Sequence, residues 1–220
     1  MRKIIAVMLG LLLAAPAWAQ GFDQARTVAR AADTVERLRT DENFGSRMAS
    51  AISRAKALLI VPDLVKGGFI FGAEWGTGVL LVKGADGRWS GPAFYSIASG
   101  SVGLQIGVQD AAAVYVINSA GGLAAIMNNR MKLGADAGVA VAHVGAGAEA
   151  STTTNVGADI YAFSKAVGLY GGASLEGAGI LPRHSWNAAY YGGNPTPEQI
   201  LIDRQLDSPQ ADRLRDVLAR

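Results

Sequence analysis

Apolar residues recur at three- and four-residue spacing between Phe22 and Thr40 (Ala25, Val28, Ala32, Val35, Leu38), with Arg, Asp and Glu between them. That period defines an amphipathic helix with a shallow, alanine-rich apolar face. Residues 41–43 read as a break. A second helix then carries Phe44, Met48, Ala51, Ile52 and Ala55 on one side, and is expected to run into Leu58-Leu59-Ile60-Val61 and stop at Pro62. Proline can neither continue a helix nor donate to a strand ladder.

From Gly67 to Gly193 the helical period disappears. Short apolar runs alternate with small residues and are punctuated by Gly, Asn, Asp and Pro. Val79–Val82 followed by Lys83-Gly84-Ala85-Asp86-Gly87-Arg88-Trp89 reads as strand, turn and the start of another strand. Ala93–Ile97, Val102–Val108 and Ala112–Asn118 read as further strands, and Gly121–Asn129 as a short helix. Later runs (Gly138–Val144, Thr154–Phe163, Gly168–Gly172, Ala173–Ile180) are built mostly of Gly, Ala, Val and Ser. Of 28 glycines in the chain, 25 lie between Gly67 and Gly193. Small residues in a sheet let backbones approach or strands coil tightly. The expected fold is therefore α+β: a strongly curved, mainly antiparallel β-sheet, barrel-like or sandwich-like, flanked by N-terminal and C-terminal helices.

Two helix-start signals close the chain. Thr196-Pro197-Glu198 and Ser208-Pro209-Gln210 each place a capping hydroxyl before a proline at the first helical position. No internal repeat and no linker is evident, so one domain is expected over residues 20–220. It divides into N-terminal helices (20–58), a glycine-rich β core (59–193) and C-terminal helices (194–220). Residues 1–19 carry a different signature: Arg2 and Lys3, an apolar run from Ile4 to Ala15, and Ala17-Trp18-Ala19. This is the pattern of a secretory signal peptide cut after Ala19, and it predicts a periplasmic or secreted protein. With no cysteine at the cut, the lipoprotein route is closed.

Charge and composition narrow the chemistry. The 220 residues hold 20 Lys+Arg and 18 Asp+Glu, and loss of Arg2 and Lys3 would leave 18 of each sign. No strong field remains to gather nucleic acid. The absence of cysteine excludes disulfides, thiolate metal sites and a thiol nucleophile. The two histidines, His143 in a run of small residues and His184 in an expected turn, have no Gly-x-Ser-x-Gly elbow to serve. Gly72–Gly78 lacks the Lys-Ser/Thr of a phosphate loop, and Gly171–Gly177 is not spaced as a dinucleotide fingerprint. Asp86, Asp110, Asp136 and Asp159 are isolated along the chain. No catalytic residue, metal ligand or cofactor is proposed on these grounds, though a hydrolase using either histidine stands as a minor alternative.

Binding has a better candidate. Arg54, Lys56, Lys66, Gly67, Gly68, Phe69 and Phe71 bring cations beside aromatics at a helix-to-strand junction, with Trp75 and Trp89 further on. Cations that meet lipid phosphates and rings that enter the interface suit a membrane surface. The plainer reading, favoured by composition alone, puts Phe69 and Phe71 in the core and leaves Lys56 and Lys66 as solvated rims. The first helix mixes Arg26, Arg30, Arg37 and Arg39 with Asp23, Asp33 and Glu36, unlike a polybasic anchor.

Taken in order, the motifs resemble the SYLF domain. The blocks are Arg54-Ala55-Lys56-Ala57 with Pro62, Lys66-Gly67-Gly68-Phe69, Gly76-x-Gly78-Val79-Leu80 and Trp89-Ser90-x-Pro92-Ala93-Phe94-Tyr95. They continue with Gly100-Ser101-Val102-Gly103-Leu104-Gln105-x-Gly107, Lys132–Ala137, Ser174-Leu175-Glu176-Gly177 and Asn187-x-x-Tyr190-Tyr191-Gly192. The resemblance implies a lipid-binding module and not an enzyme. Its eukaryotic members bind phosphoinositide membranes and, in yeast, actin filaments, whereas secreted bacterial members are described as envelope lipid-binding proteins. The basic N-terminal cluster of the eukaryotic members is not matched here, and a periplasmic location would remove actin as a partner. The expectation is a non-catalytic envelope protein whose partner is anionic phospholipid, a membrane or its head groups. The alternative is an outer-membrane barrel or an envelope scaffold that binds proteins without lipid specificity.

Overall fold

The computed structural model describes residues 21–68, 71–102, 107–128, 141–145, 159–167 and 179–220. Residues 1–20, Phe69, the Gly168–Gly172 run and the Ser174–Gly177 block lie outside the described residues. The chain opens with helices α1 (Phe22–Arg39) and α2 (Gly45–Arg54), followed by strands β1 (Ala57–Gly68), β2 (Phe71–Val82), β3 (Ala93–Val102) and β4 (Gly107–Ile117). Helix α3 (Ala120–Met127) precedes β5 (Val141–Gly145), β6 (Ile160–Val167) and β7 (Gly179–Pro182). Helices α4 (His184–Tyr191), α5 (Pro197–Leu201) and α6 (Asp212–Ala219) follow, the last entered through a single 3₁₀ turn at Pro209–Ala211.

Among the described residues the strands form one seven-stranded sheet in the order β5-β6-β4-β1-β2-β3-β7. Only β5–β6 is parallel; the other pairs are antiparallel. The α+β class and the mainly antiparallel sheet agree with the sequence reading. The sheet is an open layer with β5 and β7 at its edges, not a closed barrel.

Helices cover both faces. Leu58, Ile60, Val79, Leu81, Phe94 and Val116 pack with Val28, Val35, Leu38, Met48, Ile52, Leu214 and Val217 from α1, α2 and α6. On the other face Leu59, Leu80, Tyr95, Tyr115 and Ile117 pack with Ile126 of α3 and with Ile200 and Leu201 of α5. A strand buried on both sides needs apolar residues at consecutive positions, which is why Leu58-Leu59-Ile60-Val61 shows no alternation. Each such side chain contributes about 1.5–3 kcal/mol of transfer free energy. A transmembrane barrel presents one face to lipid; here, among the described residues, the central strand segments are core on both faces.

The largest departure from the sequence reading is at Pro62. The apolar run does not prolong α2. It is the start of β1, the central strand, which passes through Pro62 and continues to Gly68. The register shifts between Ile60 and Asp63 against β2, and between Val61 and Leu64 against β4. A bulge removes the ladder position at which proline would have to donate. The neighbouring strand accommodates it with glycine. A Cβ on Gly78 would lie 2.6 Å from the Ile60 carbonyl oxygen, and one on Gly76 2.7 Å from that of Asp63. Two further boundaries also move: residue 102 ends β3 and residues 107–108 open β4, so Val102–Val108 is not a strand of its own. His184 begins α4 instead of occupying a turn, because Arg183 caps that helix without a side-chain hydrogen bond and leaves no cap signature in the sequence.

Candidate functional site: a cationic cleft at the open end of the helical face

The residues that the sequence singles out fall at two ends of the sheet. Arg54 ends α2, is exposed, and donates from Nη1 to Ser50 Oγ at 2.9 Å. Lys56 is exposed just before β1, and its carbonyl accepts from the Lys83 N–H at 2.8 Å. Lys83 Nζ donates to the Ser53 carbonyl at 3.0 Å and lies 5.4 Å from the Trp89 ring centroid. Lys66, Gly67 and Gly68 are ten and more residues along β1, opposite Glu74, Ala73 and Gly72 of β2, while Phe71 pairs with Val102. At ~3.3 Å per residue the Lys56 and Lys66 backbones are separated by about 33 Å. The seven residues therefore do not form one surface. His143 lies in β5 opposite Ala162, and His184 is exposed at the start of α4. Among the described residues no three His, Asp or Glu side chains converge to hold a metal ion.

A cleft of about 520 Å³ opens beside the Lys66 half of that set, lined by Val65, the residue before Lys66. Its walls are the first two turns of α1 (Asp23, Arg26, Arg30), the bulged part of β1 (Asp63), Trp75 and Thr77 of β2, Ser96 and Ala98 of β3, and Arg183 and Trp186 around the start of α4. The bulge has a role here: it brings Asp63 out to the surface, where Arg30 holds it in an ion pair. Trp75 and Thr77 continue the series Val79 and Leu81, and so lie on the helical face, but α1 does not cover them. Trp75 remains 55% exposed.

Arg183 is held in the cleft by two neutral partners. Its guanidinium carbon sits 3.8 Å from the Trp186 ring centroid, and Nη1 donates to Thr77 Oγ1 at 2.6 Å. Burial pushes its pKa below the ordinary value for arginine. Stacking of a guanidinium on an indole leaves its donors in the plane of the fork, suited to a flat or tetrahedral oxyanion. Among the described residues neither Arg183 nor Arg26 has a carboxylate within ion-pair distance. The cleft thus holds three arginines against Asp23 and the already paired Asp63.

Exposed apolar side chains surround the same region. Leu181, 55% exposed, is paired with Ser96 across β3–β7, and Ser96 with Thr77 across β2–β3. Phe22, 66% exposed, opens α1 next to Asp23. The sequence pattern does not single out Arg26, Arg183 or Trp186 as site residues. The mixed charge of α1 hid Arg26, because cancellation along the chain is not cancellation in space: Asp33 and Glu36 are both engaged by Arg213 of α6. The Trp75 signal was visible as an aromatic near the cations.

Residues 98–220 match the family described as Ysc84, Las17-binding protein actin regulator. Similar proteins include Protein YSC84 of Saccharomyces cerevisiae, 34% identical over 170 residues, covering 76% of this chain and 36% of the relative. LAS seventeen-binding protein 3 of the same yeast is 32% identical over 170 residues, covering 76% of this chain and 37% of the relative. SH3 domain-containing YSC84-like protein 1 of Xenopus laevis is 32% identical over 169 residues, covering 76% and 50%. With an ordered set of motifs and a family match over more than half its length, the chain belongs to the Ysc84 family, the SYLF-type domain that its sequence resembles. It spans between about a third and a half of the length of these curated relatives. The family is described as an actin regulator, not as an enzyme family.

Proposed function

We propose that this protein is a non-catalytic envelope module that binds anionic phospholipid. It reaches the periplasm or the exterior after cleavage near Ala19. The observation that carries the reading is the grouping of Trp75, Leu181 and Phe22, all large and exposed, around a cleft whose arginines outnumber its carboxylates. Exposed indole and aliphatic groups enter the lipid interface, and adjacent guanidinium groups meet the phosphates. Since the chain has no large net charge, this local patch supplies the attraction.

The test is co-sedimentation with vesicles of phosphatidylcholine alone and with phosphatidylglycerol added. Binding to the anionic vesicles is expected, reduced several-fold by Trp75→Ala or Leu181→Ser at an unchanged melting temperature. Equal failure on both vesicle types at low salt overturns the proposal. A second reading, a protein-binding scaffold, draws on the relatives named for Las17 binding. Those names belong to proteins of which this chain matches less than half, so pull-down of envelope proteins without lipid dependence is the result that would favour it.

A further inference from the structure

Arg183 faces the cleft with most of its donors unused by the protein. A partly desolvated guanidinium carries a cost that an anion in contact would offset. The structure provides only a neutral hydroxyl, Thr77 Oγ1, and the face of Trp186. Of the guanidinium's five N–H donors, one is used, and no other hydrogen bond from this side chain is made among the described residues. Arg26 borders the same cleft, exposed and without an ion pair among the described residues. The carboxylates present are Asp63, held by Arg30, and Asp23 at the start of α1.

We infer that the cleft between α1, the β2–β3 strands and α4 is a receptor for a phosphate ester, with Arg183 as its anchoring ligand and Arg26 as its second cation. This rests on the membrane-surface reading of the same face and names what that face selects. Arg183 is pre-organised by Trp186 and Thr77, so little side-chain entropy is lost when its remaining donors close on phosphate oxygens. Arg26, on a helix with a free side chain, adds charge. Trp75 forms an apolar wall for the organic part of the ester. A phosphate carried by a lipid and one carried by a small soluble molecule share this chemistry.

Calorimetric titration of the purified protein with sn-glycerol 3-phosphate, and with glycerol as the neutral control, tests the inference. Saturable binding of the phosphate ester alone is expected. Arg183→Gln should weaken it at least tenfold and Arg26→Gln at least threefold, while Arg47→Gln, exposed on α2 and outside the cleft lining, leaves it unchanged. Arg26 is exposed and its side chain makes no hydrogen bond or ion pair among the described residues, so its variant keeps the test decisive even where Arg183→Gln affects folding. Absence of ester binding, or unchanged affinity in both variants, overturns the inference. Vesicles of phosphatidylcholine containing phosphatidic acid are then added as competitors. Displacement of the ester by vesicles supports a lipid head group as the source. Ester binding that vesicles fail to displace supports a soluble ligand, so that the receptor stands and membrane docking falls. Vesicle binding that is equal in wild type and Arg183→Gln, with no ester binding, leaves docking in place and sinks the receptor.

Discussion

The side-chain Oδ1 of Asn187 in α4 accepts a hydrogen bond from the backbone N–H of Phe94 in β3 at 2.8 Å. One residue beyond β7, the Arg183 N–H donates to the Phe94 carbonyl at 2.8 Å, and the chain then turns into α4. Edge strand β7 is too short to satisfy the Phe94 N–H, so a helix side chain completes the ladder. Asn187 is wholly buried, and the Phe94 ring packs edge-on to Trp186 and Tyr190 from the same helix. The junction fixes α4 on the sheet, and with it the Trp186 face on which Arg183 rests.

Replacing Asn187 by leucine should strand the buried Phe94 N–H and destabilise the fold by about 1–3 kcal/mol. A urea midpoint lowered with an unchanged slope is the expected outcome. Because α4 also orients Trp186, the near-ultraviolet circular dichroism of the variant should lose intensity before unfolding begins.

Much of this was legible in the chain. The helix α1 announces itself through Val28, Ala32, Val35 and Leu38, all of which are buried. Thr196 and Pro197 form the expected start of α5, and Gln199 completes a capping box with Thr196. Local signals of this kind are decided within one turn of chain. What failed were features decided by tertiary partners. Pro62 reads as a stop because its rule is local, yet a bulge against both neighbours and two glycines in β2 make it a strand residue. Closeness in sequence groups Lys56 with Lys66, but an extended strand carries them apart, while folding brings Arg26 and Arg183 to one cleft. The glycine excess has a specific meaning at Gly76 and Gly78, close approach to the bulge, that no spacing could reveal.

Gly78→Ala should therefore be costly although alanine is small and the backbone there is extended. Its Cβ would meet the Ile60 carbonyl oxygen at 2.6 Å and Val61 Cγ2 at 2.9 Å. Overpacking of this kind costs about 1–3 kcal/mol. Gly87, which has open space around it but a φ of 76°, offers a control of different origin. Gly87→Asn should cost much less than Gly78→Ala in thermal denaturation, since asparagine tolerates that conformation.

Burial holds the Tyr95 phenol, and that of Tyr191, well above the ordinary tyrosine value. A raised folded pKa means that the folded state retains the proton, so this stability is complete below about pH 10 and is lost as pH rises beyond it. Alkaline unfolding should coincide with a tyrosinate absorbance step near 295 nm. The Tyr95 hydroxyl is buried without a hydrogen-bond partner among the described residues. Tyr95→Phe should accordingly be neutral or mildly stabilising at neutral pH, with a shallower alkaline loss. A destabilisation above ~1 kcal/mol would show that the hydroxyl is satisfied.

The C-terminal segment is tied to the β2–β3 turn through one carboxylate. Asp86 accepts from Arg88 Nε at 2.8 Å and from Arg204 Nη1 at 3.0 Å, while Arg204 also donates to the Arg88 carbonyl. Arg204 adopts φ 52°, a left-handed conformation uncommon for a residue with a Cβ. The hydrogen bonds from Arg88, and then that from Arg204, hold the Asp86 carboxyl well below the usual carboxylate range. A depressed folded pKa contributes stability above the unfolded value, near 4, and that contribution fades as pH falls below it. Asp86→Asn should flatten the acid limb of the melting temperature below about pH 4 and lower the neutral plateau only slightly, because the pair is exposed to solvent. Arg204→Gly removes the same tie while relieving the left-handed backbone, so it should melt higher than Arg204→Ala. Equal melting temperatures for these two variants would show that the backbone at Arg204 carries no strain.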